Sequence, residues 1–352
     1  KMSAVSTSTT PAVKRRKMGV VTQSPVHEKV ATVAMLGDVG SFSHTAASGF
    51  FREAFSVVTC SSVGEVCDAV ASGTADRGVI PVENSYVGTF DGSYDALLQY
   101  STQLQIVNEV VKEESHALCS RAGVAIDSVR RVFAHPAAFQ QCSTFVNSLD
   151  SKVAASSSGA EWVHRELARS TSSACRSVAS GSEPSAAIAT PAAAAAHGLV
   201  VLSDGISNDR NNQTRFVVVA KSAAGAAASP PHGYLAKTSV AIALRNEPAA
   251  IFKCLSCFAL REINVAKVFS RPMSCASADF VPTKVHWDYI VYIDLDGSSA
   301  DPAMAAALSN LREFVLTLRV LGSYTKGTTR TVQVHERFTA SSISDLLCGG
   351  AI

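Results

Sequence analysis

Two polar side chains, Thr214 and Arg215, lie between a polar loop and an aliphatic run. The loop is 208–213, and three valines and an alanine occupy 217–220. An apolar, β-branched run directly after a polar loop is typical of a buried strand, so both side chains should lie where the loop enters a sheet. There the Thr214 hydroxyl could donate a hydrogen bond to a ligand, and the Arg215 guanidinium could hold a carboxylate. The alternatives are structural: Thr214 as a cap or turn residue, and Arg215 paired with Glu83 or an aspartate.

A second group of candidates lies in the turn that follows a short apolar segment, 33–36. The turn has the sequence Gly-Asp-Val-Gly-Ser-Phe-Ser-His and leads into a predicted helix over 45–55. Free backbone N–H groups at such a helix N-terminus, with the hydroxyls of Ser41 and Ser43, can hold a carboxylate. Glycine-rich turns between strand and helix are also often purely structural, and that alternative stays open.

A third group, Glu83, Asn84 and Ser85, directly follows the apolar segment 78–82. Polar residues at the carboxyl end of a buried strand line the crevice in which open α/β sheets bind ligands. Asparagine and serine are also favoured helix caps, which is the alternative interpretation.

The middle of the chain predicts a second lobe. Three apolar segments have the pattern of strands: 105–111, 116–119 and 129–134. His135, followed by proline, opens a predicted helix that carries Gln141. The serine-rich stretch 170–185 is interpreted as an inserted loop, and the strand and helix pattern resumes over 186–197. Residues 30–220 therefore predict two α/β lobes with a crevice between them, the second inserted before the chain returns to the first.

Taken together and in this order, these blocks resemble the prephenate and arogenate dehydratases, enzymes of phenylalanine synthesis. The match includes an asparagine followed after five residues by Thr-Arg-Phe, the Gly-x-x-Gly-Ser-Phe-Ser turn and the Glu-Asn-Ser block. It also includes a block at 133–142 that is similar to the family's Ser-His-Pro-Gln block. The resemblance covers nearly all of the chain from about 30 to 325.

The resemblance implies a fold like that of periplasmic binding proteins, whose two lobes close around a small anion. It also implies that prephenate or arogenate loses CO2 and its ring hydroxyl together. Aromatisation drives this reaction, so the protein need only bind the carboxylates, orient the ring and help the hydroxyl to leave. Thr214 would act through a hydrogen bond to the departing oxygen, and no metal or organic cofactor is required.

The resemblance assigns roles to nine residues. The catalytic residues are Thr214, Glu83 and Asn84. The substrate-binding residues are Ser41, Ser43, Ser85, Gln141, Arg215 and Phe216.

Three features depart from the family pattern. Ala134 replaces its serine, Ala137 replaces the glutamine after its proline, and serines at 156–158 replace an Asp-Thr-Ala-Gly-Ala-Ala-like turn. Each missing hydrogen bond to a charged substrate costs about 1.5–3 kcal/mol. The alternative to a working dehydratase is therefore a dehydratase-derived structural or assembly subunit of a larger complex.

Residues 237–326 predict a second domain with the order βαββαβ, a ferredoxin-like unit. Its predicted elements are strands at 238–244, 264–269 and 287–295, helices at 249–262 and 301–320, and an edge strand at 321–324. In this position it resembles an ACT domain, the amino-acid-sensing module of these dehydratases, which implies phenylalanine as an effector. The sensor positions are Asn246, Ala249, Ala250, Ile251, Ser270 and Arg271. Ala249 replaces a glycine and Phe269 a glutamate of that pattern. The first change restricts the approach of the backbone to a ligand, and the second removes a possible partner for an amino group.

The remaining segments are a leader, 1–29, a linker, 221–236, and a C-terminal extension, 327–352. The leader is rich in serine and threonine and carries six Lys or Arg against one acidic residue, as transit peptides do. A disordered tail is the alternative. The leader predicts a plastid location, with the mitochondrion and the cytoplasm as alternatives. Within the extension, 331–334 could add a strand.

Composition excludes several classes of protein. The nine cysteines are scattered, which favours a reducing compartment, and the lone Cys254-x-x-Cys257 is interpreted as a buried helix face. After the leader, 25 basic and 28 acidic residues leave a net charge of −3, which gives no support for nucleic-acid binding. No apolar run has the length of a membrane span. ACT domains commonly pair, so the resemblance also implies a homodimer or homotetramer.

Overall fold

The computed structural model of the chain describes residues 32–51, 54–155, 162–209, 211–222, 235–273, 280 and 288–327. The predicted leader, the serine turn at 156–158, most of the linker and the segment 331–334 lie outside these residues. The strands of the described residues form two sheets, one of ten strands and one of five. Of the helices in these residues, none is both long and apolar enough to span a membrane.

The first lobe alternates strands and helices. Its elements are β1 (Thr32–Leu36), α1 (Phe42–Phe51), β2 (Ser56–Cys60), α2 (Val63–Ser72), β3 (Arg77–Asn84), β4 (Gly88–Thr89), α3 (Asp91–Gln99) and β5 (Leu104–Glu113). Local sequence fixes some of the ends: Ser62 caps the first turn of α2 by accepting the Glu65 N–H, and Gly73 ends the helix in the left-handed conformation.

The second lobe follows without a break. Its elements are β6 (Ala117–Ser120), β7 (Arg131–Ala134), α4 (Pro136–Gln141), α5 (Ser143–Ala155), β8 (His164–Leu167), α6 (Thr171–Ser180), β9 (Ser185–Ala189), α7 (Pro191–Ala196) and β10 (Val200–Ser203). They form a sheet in the order β10-β6-β9-β7-β8. The chain then returns to the first lobe through β11 (Gln213–Lys221).

Strand β11 completes the first sheet, whose order is β2-β1-β3-β11-β5. It runs antiparallel to both β3 and β5, whereas β1, β2 and β3 are parallel. The chain therefore crosses between the lobes twice, between β5 and β6 and between β10 and β11, and the predicted two-lobed α/β architecture is confirmed. The lobes also meet at Gly40, whose carbonyl accepts the Thr190 hydroxyl at 2.8 Å.

The prediction of an inserted loop over 170–185 is wrong, because this stretch contains helix α6. Ser170 and Ser173 form a reciprocal capping box at its start. Thr171, Ser172, Ala174, Cys175 and Val178 form its buried face, whereas Ser177 and Ser180 are exposed. The serine-rich composition concealed this helical spacing.

The C-terminal unit has the predicted order of elements. They are β12 (Ala236–Ala243), α8 (Ala250–Ala259), β13 (Val265–Pro272), β14 (Tyr289–Asp296), α9 (Pro302–Arg312) and β15 (Thr317–Thr325). The strand order β13-β14-β12-β15 is that of a ferredoxin-like unit. The helices pack on one sheet face, where Cys254 and Cys257 are buried as predicted.

Two predictions for this unit are corrected. The helix expected over 301–320 ends at Arg312. Leu311 is its last fully buried apolar residue, and the segment that follows is rich in residues that favour strands. Strand β15 therefore begins at Thr317, and it is not an edge strand. It pairs with β12 on one side and touches β5 in parallel on the other, through Thr325 and Asn108.

Glycine permits this close approach of the two units. A Cβ atom on Gly322 of β15 would lie 2.2 Å from the carbonyl oxygen of Ile106 in β5. Only a residue without a side chain can occupy that position without moving one backbone away from the other. The C-terminal sheet thereby continues the sheet that carries Thr214.

Candidate active site

A cavity of about 700 Å³ lies between the two lobes. This volume falls in the usual range for small-molecule sites. The ends of β1, β3 and β11 line it from the first lobe, α4 and the start of α6 line it from the second, and the crossing segment after β5 lies between them.

Thr214 lies on the cavity side of β11. It is 2% exposed, and in the strand ladder it is opposite Asn84 on β3 and Lys112 on β5. Because side chains alternate along a strand, Thr214 and Phe216 face the cavity while Arg215 faces the opposite side of the sheet. The structure thus separates two neighbours that the sequence placed in one site.

Asn84, on the neighbouring strand β3, holds the Thr214 hydroxyl in place through a hydrogen bond. Its Nδ2 donates to Thr214 Oγ1 at 2.8 Å and to Asn212 Oδ1 at 2.7 Å. Its Oδ1 accepts the backbone N–H groups of Tyr86 and Val87, both at 2.9 Å, so the amide has one orientation only. Asn84 does not line the cavity, and its observed role is to position Thr214.

Glu114, which the sequence analysis did not single out, lies on the cavity wall beside Thr214. Its carboxyl group lies on the same cavity wall as the side chains of Thr214 and Gln141, with which it can form hydrogen bonds. Burial raises the pKa of Glu114 to about 7, against the opposing effect of those two hydrogen bonds. The available signal was an acidic pair, Glu113-Glu114, in the segment where the chain crosses between lobes.

The predicted substrate contacts Ser41, Ser43, Gln141 and Phe216 all line the cavity. Ser41 caps α1, where its Oγ accepts the His44 N–H at 3.2 Å. Gln141 is the last residue of α4, and its backbone carbonyl accepts the Asn208 N–H at 2.7 Å. Ser85, in contrast, serves the β3–β11 ladder: its Oγ accepts the Gln213 N–H at 2.9 Å.

Several helix N-termini converge on the cavity. First-turn residues of α1, α2, α3 and α6 line it, namely Ser43, Gly64, Gly92 and Thr171. The N–H groups of a first turn lack intrahelical acceptors and carry a partial positive charge, so this arrangement favours an anionic ligand. Arg169, which the sequence analysis also missed, adds a cation from the second lobe, and Asp91 is an acidic lining residue at the start of α3.

Two histidines complete the lining. His116 is buried, and burial lowers its pKa to about 4, so the ring is neutral at pH 7. Its Nδ1 lies 3.1 Å from Ser207 Oγ, whereas its Nε2 has no hydrogen-bond partner among the described residues. His135 caps α4 by accepting the Ala137 N–H at Nδ1, which leaves its Nε2 as a donor in the neutral ring. Both rings can therefore serve a polar ligand.

Glu83 and Arg215 lie on the other face of the sheet, away from the cavity. Arg215 Nε is 3.2 Å from Glu83 Oε2, and its Nη1 contacts Glu109 at 3.0 Å and Asp294 at 2.6 Å. Burial alone would lower the pKa of Arg215, but the surrounding carboxylates hold it above its usual range. Lys267 on β13 contacts Glu83 at 3.0 Å. These charges form an interface between the first lobe and the C-terminal unit, in agreement with the structural alternative for Arg215.

The predicted sensor positions fall into two groups. Asn246, Ala249, Ala250 and Ile251 form the turn and first residues of α8, and Ala249 has a positive φ of 62°. Ser270 and Arg271 lie on β13. Arg271 is paired with Asp91 at 2.6 Å and Asp95 at 2.7 Å, and so it links β13 to the helix that begins at the cavity.

Ala137 and Ala134, which replace polar residues of the family pattern, have different surroundings. Ala137 lines the cavity, whereas Ala134 is fully buried in the core of the second lobe. Only the first of them removes a polar group from the wall of the cavity. In the described residues, no group of three or more His, Cys, Asp or Glu side chains is arranged to hold a metal ion.

Comparison with known proteins identifies the family of this chain. A family model described as prephenate dehydratase matches residues 33–224. Arogenate dehydratase/prephenate dehydratase 2, chloroplastic, from Arabidopsis thaliana is 34% identical over 310 residues, which cover 88% of this chain and 76% of that protein. Arogenate dehydratase 1 from Petunia hybrida is 34% identical over 307 residues, or 86% and 68% of the two chains. The solved prephenate dehydratase from Arthrobacter aurescens, in complex with L-Phe, is similar with a TM-score of 0.70 and 26% identity, over 90% of this chain and 97% of that one.

Proposed function

We propose that this chain, which belongs to the prephenate dehydratase family, catalyses the decarboxylating dehydration of prephenate to phenylpyruvate, of arogenate to phenylalanine, or of both. The reaction belongs to phenylalanine synthesis. The observation that carries the proposal is the position of Thr214, whose hydroxyl is held by Asn84 at the wall of a cavity that helix N-termini surround.

The substrate carries one carboxylate on its ring and a second on its side chain, and the cavity offers a match for each. The first turns of α1 and α2 belong to the first lobe, and Arg169 and the start of α6 belong to the second. Carboxylates bound to both lobes would draw the lobes together and exclude water, and polar contacts are stronger in such a dry site. His116 Nε2 and the Gln141 side chain are further polar contacts for the substrate.

Thr214 has the chemical role in this proposal. A threonine hydroxyl is a weak acid, but a positioned hydroxyl donor stabilises the charge that develops on a departing oxygen. The ring becomes aromatic as CO2 and the hydroxyl leave, so the protein has to supply only orientation and that donor. Glu83 and Arg215 act from the opposite face of the sheet by holding β11, and with it Thr214, in register.

For the C-terminal unit we infer an ACT-type regulatory role with phenylalanine as the effector. The ferredoxin-like topology supports it, as does a family member solved in complex with L-Phe. Arg271, which pairs with Asp91 at the edge of the cavity, is a direct connection between that unit and the site. Pairing of such units into a homodimer or homotetramer belongs to the same proposal.

A plastid location is also part of the proposal. The basic, serine-rich leader and the chloroplastic relative from Arabidopsis thaliana both support it. No specific observation favours the alternative of a non-catalytic assembly subunit.

The test is a turnover assay of the purified protein on prephenate and on arogenate separately, with phenylpyruvate and phenylalanine as the products measured. Thr214→Ala is the control. Turnover that collapses in the control supports the proposal and identifies the substrate. A folded protein that turns over neither substrate would contradict it and would point to the assembly subunit instead.

A further inference from the structure

We propose that Glu114 is the proton source for the departing hydroxyl and that it acts through Thr214. The carboxyl group lies on the segment that joins β5 to β6, on the same cavity wall as the side chains of Thr214 and Gln141, with which it can form hydrogen bonds. It is 8% exposed. This role rests on the proposed function, because it names the proton donor of that reaction.

The role of Glu114 follows from the limited number of hydrogen bonds that the Thr214 hydroxyl can make. A threonine hydroxyl has one proton to donate and two lone pairs that accept. Asn84 Nδ2 already donates to Thr214 Oγ1, and its amide cannot turn over because Oδ1 accepts two backbone N–H groups. An ionised Glu114 can only accept, so the Thr214 proton would go to it and none would remain for the substrate. A protonated Glu114 donates to the second lone pair, and the Thr214 proton is then free to face the ligand.

The surroundings of Glu114 favour its protonated form. Burial is the main cause that raises its pKa to about 7, and the hydrogen bonds with Thr214 and Gln141 oppose that shift. The other titratable or charged side chains that face it across the cavity are Asp91, His116, His135 and Arg169. Burial lowers the pKa of both histidines, so both rings are neutral at pH 7, and the remaining two carry opposite charges. An anionic substrate would favour the protonated carboxyl group further.

The proton transfer balances without any further reactant. The C–C bond to the ring carboxylate breaks, CO2 leaves, and the electron pair of that bond enters the ring. The C–O bond on the opposite ring carbon breaks with its pair on oxygen. Thr214 Oγ1 gives its proton to that oxygen, which departs as water, and takes the proton of Glu114 in the same step. Glu114 remains as a carboxylate and regains a proton from solvent after the products leave.

The experiment measures kcat and kcat/KM of the full chain between pH 6 and pH 9, on whichever substrate the wild type turns over. For the wild type, we expect kcat/KM to fall about tenfold per pH unit above about pH 7. In Glu114→Gln the amide can still donate to Thr214 but has no proton to transfer. We expect kcat to fall about a hundredfold and the decrease at high pH to disappear. Glu113→Gln, the exposed neighbour, should keep both the rate and the pH profile.

A second variant separates proton supply from structural support. Glu114→Asp keeps an ionisable group, so a reduced rate that still decreases at high pH is expected. Wild-type turnover with an unchanged profile in Glu114→Gln would overturn the role of Glu114 and leave the proposed function intact. A change confined to KM for arogenate would also overturn it, since that result marks a contact with the substrate ammonium group. A wild type inactive on both substrates would overturn both proposals.

Discussion

The guanidinium of Arg215 meets the carboxylate of Asp294 at 2.6 Å, and this contact joins the strand that carries Thr214 to the C-terminal unit. Both side chains are largely buried, and Glu109 shares the same Nη1 atom at 3.0 Å. The residue that follows Thr214 is therefore part of the interface between the two units, not of the cavity. Any movement of β14 acts directly on the strand that positions the hydroxyl.

Asp294→Asn should destabilise the protein by about 1.5–3 kcal/mol, because the buried Arg215 loses one charged partner while Glu83 and Glu109 keep their contacts. Asp296→Asn, two residues along β14, is the matched control. Asp296 pairs with Lys326 at 2.8 Å but is partly exposed, so its loss should cost about 1 kcal/mol or less. Urea unfolding of both variants measures the difference, and equal losses would contradict a special role for the Arg215 contact.

Gly322→Ala should destabilise the protein by about 3 kcal/mol or more, since the new Cβ would overlap the Ile106 carbonyl. Gly49→Ala is the control, because a Cβ there meets nothing within 4 Å and the position is helical. It should gain about 0.5–1 kcal/mol. A Gly322→Ala variant as stable as the wild type would mean that β15 and β5 do not approach so closely.

Ala249→Gly should stabilise the chain by about 0.5–1 kcal/mol. Ala249 has a φ of 62°, a conformation that is costly for alanine and accessible to glycine. This alanine replaces a glycine of the family pattern, and the structure keeps the backbone that a glycine would prefer. Thermal unfolding checks the prediction, and a destabilised variant would contradict the left-handed conformation.

Glu114 should make the stability of the fold depend on pH. Its pKa is raised from 4.5 to about 7, so the folded state keeps a proton that the unfolded state has already lost between these values. The contribution of Glu114 to stability therefore decreases as the pH rises from 4.5 to 7. At pH 8, Glu114→Gln should exceed the wild type by up to about 3 kcal/mol, whereas near pH 4 the two should be similar. Denaturant unfolding at both pH values, with Glu113→Gln as the control, measures this; a constant difference would contradict the raised pKa.

Sequence patterns predicted the fold well wherever each element carries its own signals. Helix α2, for example, begins after the cap at Ser62 and ends at Gly73, and both are signals that the sequence carries. Sequence patterns failed where the composition hid the helical periodicity, as in α6. They also failed where one element is followed closely by the next, as between α9 and β15. The joining of two sheets through β5 depends on a contact between distant segments, and no local pattern records such a contact.

The candidate site was predicted only in part, because local patterns do not show which residues of distant segments meet. Strand-end polar residues led to Thr214, Asn84 and Ser41, and the first and last of these line the cavity. The resemblance also assigned roles to Glu83 and Arg215, but the two-residue period of a strand places them on the face opposite to Thr214. Glu114 was missed because a crossing segment has no periodicity, and only the three-dimensional structure shows which of its side chains faces the cavity.

The most direct test of the proposed function compares kcat of Thr214→Ser and Thr214→Val on the better substrate. Serine keeps the hydroxyl that Asn84 and Glu114 contact, while valine keeps the shape of threonine without it. We expect Thr214→Ser to stay within about tenfold of the wild type and Thr214→Val to lose about 10²–10³ in kcat, the usual cost of removing one donor to a developing oxyanion. If Thr214→Val instead retains wild-type kcat, the hydroxyl has no part in the chemistry, and the proposed mechanism is contradicted.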